Sequence, residues 1–291
     1  MALSVPMGHY SNDKINRFRL IEIIALWEGR LTTNHLQNCF EIGRQQASKD
    51  INTYITEIAP NNLEYDKSLK GYKPSSSFVP VLTDGRAEDY LLLLGMNQRL
   101  VSKGSHIGWG FNNVATVSSP PRNIKPEVIQ SIVSAITHQQ RLEIEYVSLY
   151  NPMPETRVIA PHTLVQTPLR WHVRAYCEKN RQYRDFVLSR FCGEPECIGK
   201  SEHGIADDEN WHSVIELELI ADPRLNDKQR QLVALDYGMQ DNVLIHKTSV
   251  ALLHYDLSCL NLSLSESREL PEYQQLAIRN INQIKMQLNN I

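Results

Sequence analysis

The sequence has few of the features that mark membrane, exported or metal-binding proteins. Its 291 residues contain no long apolar run, and a stretch such as 91–94 is far too short to span a bilayer. Residues 1–13 contain no apolar export segment. The five cysteines are odd in number, scattered and without a C-x-x-C pair, which argues against a disulfide framework or a structural zinc site. We therefore predict a cytoplasmic protein with reduced thiols, no cofactor, no bound metal and no membrane partner.

Signatures of catalysis are also missing. The sequence has no P-loop, no glycine fingerprint opening a helix, no H-E-x-x-H and no G-x-S-x-G motif. The acidic cluster 207–209 could bind Mg²⁺, but it falls in a predicted loop between domains. The acids Glu143, Glu145 and Asp185 do not form a convincing acid–base pair. The sequence thus predicts a protein that is not an enzyme, and the alternative is a nuclease or nucleotide hydrolase.

Charge is unevenly distributed along the chain. The formal net charge is −3, which taken alone argues weakly against nucleic-acid binding. Residues 201–291 hold 7 cations and 14 acids, so an acidic last third masks a mildly basic remainder. The hydrophobic fraction of 42% and the charged fraction of 22% are typical of globular proteins. The length predicts two domains or three small ones.

Two helices are predicted in the first 40 residues. Ser11 can cap a first helix whose apolar residues, Ile21 among them, recur at helical spacing, and Glu22 is placed outside that apolar face. Gly29 is suited to end this helix, because glycine readily adopts the left-handed conformation found after helices. Thr32 is a good cap for the second helix.

A third helix is predicted over about 44–58, and an extended hairpin over 63–72 follows it. Three helices and a hairpin in this order are typical of a winged helix-turn-helix, whose third helix lies in the major groove. Arg and Gln make bidentate bonds to base edges, whereas lysines suit phosphates. The predicted DNA-binding residues are Arg44, Gln45, Gln46, Ser48, Lys49, Asn52, Lys67, Lys70 and Lys73. The alternative is a three-helix bundle whose third helix has a merely solvated polar face.

The middle of the chain changes from helical to strand periodicity. A helix over 82–103, capped by Asp84, is followed by a predicted loop over 104–121. The apolar run 91–94 packs either within its own domain or on a partner. A further helix over 126–138 precedes predicted strands at 142–146, 157–166, 170–177 and 183–191. Short strands separated by turns indicate a small, strongly bent sheet or barrel.

Arginine is concentrated in these strands. Residues 157–190 contain seven cations, six of them arginine, against two acids. Arginine binds phosphate in a bidentate manner, and interleaved aromatic residues such as Trp171 can stack on bases. The pattern is typical of a site for a nucleotide or single-stranded nucleic acid. The alternative is a strand whose solvent face is coated with arginine.

Two of these strands resemble the WYL domain. The segments are 170–177, with the sequence RWHVRAYC, and 183–191, with the sequence YRDFVLSRF. The sequence departs from the Trp-Tyr-Leu triplet that names the family, because His172 and Val173 follow Trp171. This departure bears on the ligand that the domain prefers rather than on its fold.

The resemblance implies a bacterial transcription regulator. It implies a multidomain α+β protein with an N-terminal winged helix-turn-helix, a central Sm-like or SH3-like β-barrel and a C-terminal small α/β extension. The layout is similar to the homodimeric WYL repressors found beside anti-phage defence operons. Such a protein would bind an inverted repeat in double-stranded DNA, most simply as a repressor of its own or a neighbouring operon. An activator, or an adaptor that binds nucleic acid without controlling a promoter, are the alternatives.

The resemblance also implies that the WYL domain senses a nucleotide or a nucleic-acid fragment. Aromatic residues would stack on the ligand and arginines would pair with its phosphates. The positions that match the family are Tyr146, Trp171, His172, Arg174, Arg184, Phe186 and Arg190. His162 and Arg157 are weaker candidates, because the match around them is loose.

The C-terminal third is predicted to be a small α/β domain with a role in dimerisation. Its acidic character makes it a poor phosphate binder. The predicted elements are a strand at 214–221, a helix at 226–235, strands at 243–247 and 249–255, and a helix at 271–288. The predicted domains are a winged helix at 1–80, a linker at 81–123, a WYL domain at 124–200 and a dimerisation domain at 201–291.

Overall fold

The structure is a computed structural model that describes residues 9–101, 111, 113–117, 119–265 and 269–289. The chain divides into two compact units, Met1–Val117 and Ser118–Ile291. The predicted end of the helix near residue 103 and the first part of the predicted loop that follows it lie outside the described residues.

The N-terminal unit has the predicted order of helices and wing. Its elements are α1 (Asn12–Glu28), α2 (Thr33–Phe40), α3 (Arg44–Thr53), β1 (Leu63–Asp66), β2 (Gly71–Pro74) and α4 (Ala87–Val101). The strands β1 and β2 form an antiparallel hairpin. Leu31, between α1 and α2, adds an isolated bridge to Tyr72 and so extends this wing on its inner side.

The ends of α1 follow from its predicted capping residues. The Ser11 hydroxyl accepts a hydrogen bond from the backbone N–H of Lys14. Gly29 has a φ of 68° and returns its N–H to the carbonyl of Ala25. The third helix continues beyond α3 as a π-helical turn, Tyr54–Ile58, so the predicted end near residue 58 agrees with the structure.

Glu22 was placed outside the apolar face of α1, and this prediction is wrong. Its side chain is fully buried, and its carboxylate accepts hydrogen bonds from the Tyr54 hydroxyl at 3.0 Å and the backbone N–H of Val81 at 2.9 Å. The N–H groups of Leu82 and Thr83 donate to the same carboxylate. The predicted helix start at residue 82 is also wrong, because α4 begins only at residue 87.

The C-terminal unit begins with a helix and a five-stranded antiparallel sheet. These elements are α5 (Pro126–His138), β3 (Gln140–Tyr146), β4 (Glu155–Gln166), β5 (Trp171–Cys177), β6 (Gln182–Val187) and β7 (Glu196–Lys200). The spatial order is β6-β5-β4-β3-β7, so the last strand lies beside the first. A short 3₁₀ turn, Leu188–Arg190, connects β6 with β7 and replaces the predicted end of the fourth strand.

The predicted Sm-like or SH3-like barrel is not closed by a continuous strand ladder in the part of the chain that the structure describes, although an isolated bridge joins Tyr146 of β3 to Phe191 after β6. There, β6 and β7 are the two edges of the sheet, and no hydrogen-bonded register joins them. The sheet is bent by irregularities in register in β3 and in β4, the latter next to Pro161. The apolar face of α5, including Ile132, packs on the inner residues Ile144, Val173 and Phe186.

The rest of the C-terminal unit is a small α+β domain. Its elements are α6 (Glu209–His212), β8 (Val214–Ala221), α7 (Asp227–Asp236), β9 (Leu244–Ser249), α8 (Leu253–Cys259), α9 (Pro271–Gln274), β10 (Leu276–Ile278) and α10 (Ile281–Asn289). The strands form an antiparallel sheet in the order β10-β8-β9. Its inner face, with Leu217 and Leu219, packs against Leu253 of α8 and Ile284 of α10.

Two predictions in this domain are wrong. The predicted strand 249–255 is a turn followed by α8, because Leu253 and Leu257 are buried at helical spacing rather than in alternation. The predicted helix 271–288 is interrupted at Gln275, whose φ is 60°, and Leu276 then pairs with Ala221. Among the described residues, no helix is long and apolar enough to cross a membrane.

Candidate functional site

The third helix, α3, presents a polar face to solvent. Gly43 precedes its first turn with an extended backbone, and Ala47 and Ile51 are fully buried in the core of the unit. The six polar residues predicted to meet DNA on this helix are exposed: Arg44, Gln45, Gln46, Ser48, Lys49 and Asn52. This helix therefore carries donors and acceptors suited to base edges on one continuous surface.

The wing is held in place by its own turn and by the segment between α1 and α2. Asp66 accepts hydrogen bonds from the backbone N–H groups of Ser68 and Leu69, and the Ser68 hydroxyl and these N–H groups keep the pKa of Asp66 low. Arg30 donates to the Leu69 carbonyl at 2.6 Å. Gly71 has no room for a side chain, because a Cβ there would lie 2.8 Å from the carbonyl oxygen of Leu31.

The predicted wing lysines differ in their surroundings. Lys67 and Lys70 are exposed at the hairpin turn. Lys73 lies 3.3 Å from Asp66 in a half-exposed ion pair. Lys67 and Lys70 are therefore better placed to meet phosphates than Lys73, whose charge is partly balanced.

Arg174 lies in the sheet but is not open to solvent. Its guanidinium contacts both carboxylate oxygens of Asp208, with Nε at 2.7 Å and Nη2 at 3.1 Å, and a third nitrogen lies 3.4 Å from Asp185. Arg174 is 5% exposed and Asp208 1%. The guanidinium of the arginine predicted to bind a ligand phosphate is thus already paired with a carboxylate of the same chain.

Asp208 is the centre of this buried cluster. It caps α6 by accepting from the N–H of Trp211, and His162 Nε2 lies 3.2 Å from its Oδ2. Burial alone would raise the pKa of Asp208, but the Arg174 guanidinium and the His162 ring outweigh burial and hold this pKa below its usual range. We missed Asp208 as a partner of Arg174, because the only sequence signal was its place in the acidic cluster 207–209. Among the described residues, no cluster of potential metal ligands includes it.

His172 is buried beneath the C-terminal domain. Its ring lies 5.0 Å from the ring of Tyr255, whose hydroxyl donates to Asp185 at 2.9 Å. Burial lowers the pKa of His172 to about 4, and nearby Arg170 adds to this effect. His172 is therefore a neutral ring near pH 7 and offers a ligand no charge.

The remaining predicted ligand residues divide into buried and accessible groups. Tyr146 and Phe186 pack edge to face in the core, with ring centroids 5.1 Å apart. Trp171, at the start of β5, is 41% exposed. Arg184 is exposed and Arg190 is partly exposed.

An open cavity of about 420 Å³ lies above β6. Arg174, Arg184, Asp185, His254 and Tyr255 are among the residues that line it. Of the predicted ligand residues, this cavity brings together only Arg174 and Arg184. An anionic ligand there would meet Arg184 directly and would have to compete with two carboxylates for Arg174.

Three protein-family models match successive parts of the chain. Residues 13–96 match the BrxR transcriptional regulator winged helix-turn-helix domain. Residues 127–193 match the WYL domain. Residues 214–284 match the BrxR transcriptional regulator C-terminal dimerization domain.

Curated relatives extend over most of the chain. The DNA-binding transcriptional repressor CapW of Escherichia coli is 37% identical over 270 residues, covering 92% of this chain and 89% of the relative. The CapW repressors of Pseudomonas aeruginosa and Stenotrophomonas maltophilia are 34% and 29% identical, each over 92% of this chain and 90% of the relative. The solved structure of proteasome accessory factor B/C (PafBC) of Arthrobacter aurescens is 13% identical with a TM-score of 0.31, and this chain covers 44% of its length.

The winged helix, the WYL sheet and the C-terminal domain together define a DNA-binding transcription regulator with its own dimerization domain. The matched families are described as transcriptional regulators, which is the function class that the sequence predicted. The chain belongs to the family of CapW DNA-binding transcriptional repressors.

Proposed function

We propose that the protein binds an inverted repeat as a homodimer and represses its own promoter or that of a neighbouring phage-defence operon in the cytoplasm. The exposed polar face of α3 is the observation that carries the DNA-binding surface. The C-terminal dimerization domain supports the two-fold arrangement, because a symmetric dimer presents two identical helices to two half-sites about one DNA turn apart.

Removing two of the proposed base contacts should abolish specific binding. In the variant with Arg44→Ala and Gln45→Ala, we expect loss of the footprint on the upstream region, because each bidentate contact discriminates by about 1–3 kcal/mol in every half-site. The variant should still dimerise, since both residues are exposed and lie far along the chain from the dimerization domain. DNase footprinting and light scattering measure the two properties.

Arg19→Ala is the matched control for this variant. Arg19 is an exposed arginine of α1, and its described hydrogen bond is a surface contact to Asn16. This control should keep the footprint. No protected palindrome for the wild-type protein, either upstream of its own gene or upstream of a neighbouring operon, would refute the proposed operator.

We also propose that the bent sheet, an open version of the predicted barrel, senses a nucleotide or nucleic-acid fragment. Trp171, Arg184 and Arg190 support this proposal, because they offer an aromatic face and two cations to solvent. His172, Tyr146 and Phe186 are buried and support the part of the sheet that carries these three residues. Arg174 can bind a ligand only if its contacts with Asp208 break. By linkage, the effector and the operator must weaken each other to the same extent.

A double substitution tests the effector separately from the operator. With Arg184→Ala and Arg190→Ala, operator affinity should stay near the wild-type value, whereas a short single-stranded oligodeoxynucleotide should no longer weaken operator binding. Fluorescence anisotropy of a labelled operator measures both. Lys179→Ala, which removes an exposed cation that pairs with Glu155 from the turn between β5 and β6, should keep the response. If the double variant loses operator binding itself, the sheet is part of the DNA interface and the sensing role is refuted.

A further inference from the structure

A buried carboxylate lies directly beneath the recognition helix surface. Asp50 is in α3 and has no exposed area. Its Oδ2 accepts a hydrogen bond from Arg17 Nε of α1 at 2.6 Å, and its Oδ1 accepts one from Gln46 Nε2 at 2.9 Å. The ion pair with α1 fixes the position of the Asp50 carboxylate. This carboxylate in turn restrains the exposed Gln46 side chain through a hydrogen bond.

The contact determines which way the Gln46 amide faces. A carboxylate only accepts hydrogen bonds, so the amide nitrogen rather than the amide oxygen must point at Asp50. One of the two N–H groups of Gln46 is consumed in this way. What remains for a partner outside the protein is one N–H donor and the Oε1 acceptor.

This restriction matters because the purines present different edges in the major groove. Guanine offers two acceptors, N7 and O6, and adenine offers the acceptor N7 and the donor N6–H₂. An unrestrained glutamine can satisfy either purine, since it can donate twice or donate once and accept once. A glutamine with one N–H already engaged is limited to the second arrangement.

We propose that Asp50 is a positioning residue that makes Gln46 select adenine and reject guanine at one base pair of each half-site. The inference rests on the proposed function, in which α3 enters the major groove. Gln45 is the natural internal comparison. It is exposed one position earlier, and in the part of the chain that the structure describes its side chain makes no hydrogen bond.

The test is the base preference at every operator position, measured by competition with operators that carry each of the four base pairs. Wild-type protein should prefer adenine over guanine at one position per half-site by at least about tenfold, the lower part of the range for a bidentate contact. Gln46→Ala should reduce that preference below about twofold at this position alone. Gln45→Ala, which removes a proposed base contact at a different position, should lower operator affinity but leave the preference at this position unchanged.

Asp50→Asn should change the preference rather than merely remove it. The oxygen of the substituted amide can accept from Arg17, and the amide nitrogen then faces Gln46, whose own oxygen must turn inward. Both N–H groups of Gln46 would point to the DNA, so we expect guanine to be accepted at least as well as adenine. The double variant with Asp50→Asn and Gln46→Ala should have the same base preference as the Gln46→Ala single variant, because Asp50 acts only through Gln46.

Several outcomes would overturn the proposal. An unchanged adenine preference in folded Asp50→Asn would show that Asp50 does not orient Gln46. An even loss of affinity at all positions in Gln46→Ala would show that Gln46 does not contact a specific base. If Asp50→Asn does not fold, which thermal melting would reveal, the wild-type preference decides the question. A Gln46-dependent position at which guanine binds as well as adenine would overturn the proposal, because only an unrestrained glutamine satisfies both purines. Absence of any specific operator for the wild type would instead refute the proposed function.

Discussion

Replacing Glu22 by Ala is expected to lower the free energy of unfolding of the N-terminal unit by about 3–5 kcal/mol, because several buried donors lose their acceptor together. The Tyr54 hydroxyl and the backbone N–H groups of 81–83 all donate to this carboxylate. Burial and the neighbouring Glu22 raise the pKa of Tyr54, so the phenol remains a donor throughout the accessible pH range. Amide hydrogen exchange of α1 and α3, together with urea titration, measures the loss.

Two further variants test whether the loss of stability comes from the buried carboxylate itself. Glu22→Gln keeps one acceptor oxygen and should cost less than Glu22→Ala. Glu64→Ala removes an exposed acid from the same unit and should change stability by no more than about 0.5 kcal/mol. Equal effects of Glu22→Ala and Glu64→Ala would show that the buried carboxylate does not hold the segment that leads into α4.

Arg174→Ala should destabilise the C-terminal unit by about 3–5 kcal/mol, because it leaves the Asp208 carboxylate buried without its charged partner. Arg174→Lys should recover only part of the loss, since an ammonium cannot make the two parallel contacts of the guanidinium. Urea unfolding of the three proteins at pH 7 measures the difference. A fully stable Arg174→Ala variant that lost only its effector response would favour a pure ligand-binding role.

The same pair predicts a dependence on pH. The pKa of Asp208 is held below its unfolded value near 3.9, so the pair stabilises the fold above about pH 5 and loses its effect as acidification protonates the carboxylate through its folded pKa. Asp208→Asn should therefore flatten the fall in stability between about pH 5 and the acid limit. An identical acid profile for wild type and Asp208→Asn would contradict the assignment.

Local signals predicted much of the architecture. The first helix begins after Ser11 and ends before Gly29, because capping chemistry and glycine conformation act within a few residues. The winged-helix order and the positions of β3 to β6 followed from periodicity in the same way. The interruption at Gln275 was not predicted, because the apolar residues of 271–288 have helical spacing throughout. In the structure they belong to two short helices and, between them, a strand that pairs with distant Ala221.

The candidate sites depend more strongly on contacts that are distant in sequence. Asp208 lies 34 residues from Arg174, and nothing near either residue indicates the pair. Glu22 did leave a signal, because an acid between Ile21 and Ile23 interrupts an apolar run and implies a buried set of donors. The exposed polar face of α3 could be identified from spacing alone, whereas the ion pair that anchors Asp50 to Arg17 depends on the position of α1.

The buried ion pair between Arg174 and Asp208 determines where the protein can be divided into modules for engineering. A sensing module excised at residue 200, the predicted edge of the WYL domain, would carry a buried Arg174 without Asp208 and with only the more distant Asp185 as a counter-charge. Extending the excised piece to residue 212 would retain both Asp208 and the helix α6 that it caps. Chimeric repressors that exchange sensing modules between relatives should therefore be joined after α6, so that each transplanted module brings its own internal counter-ion.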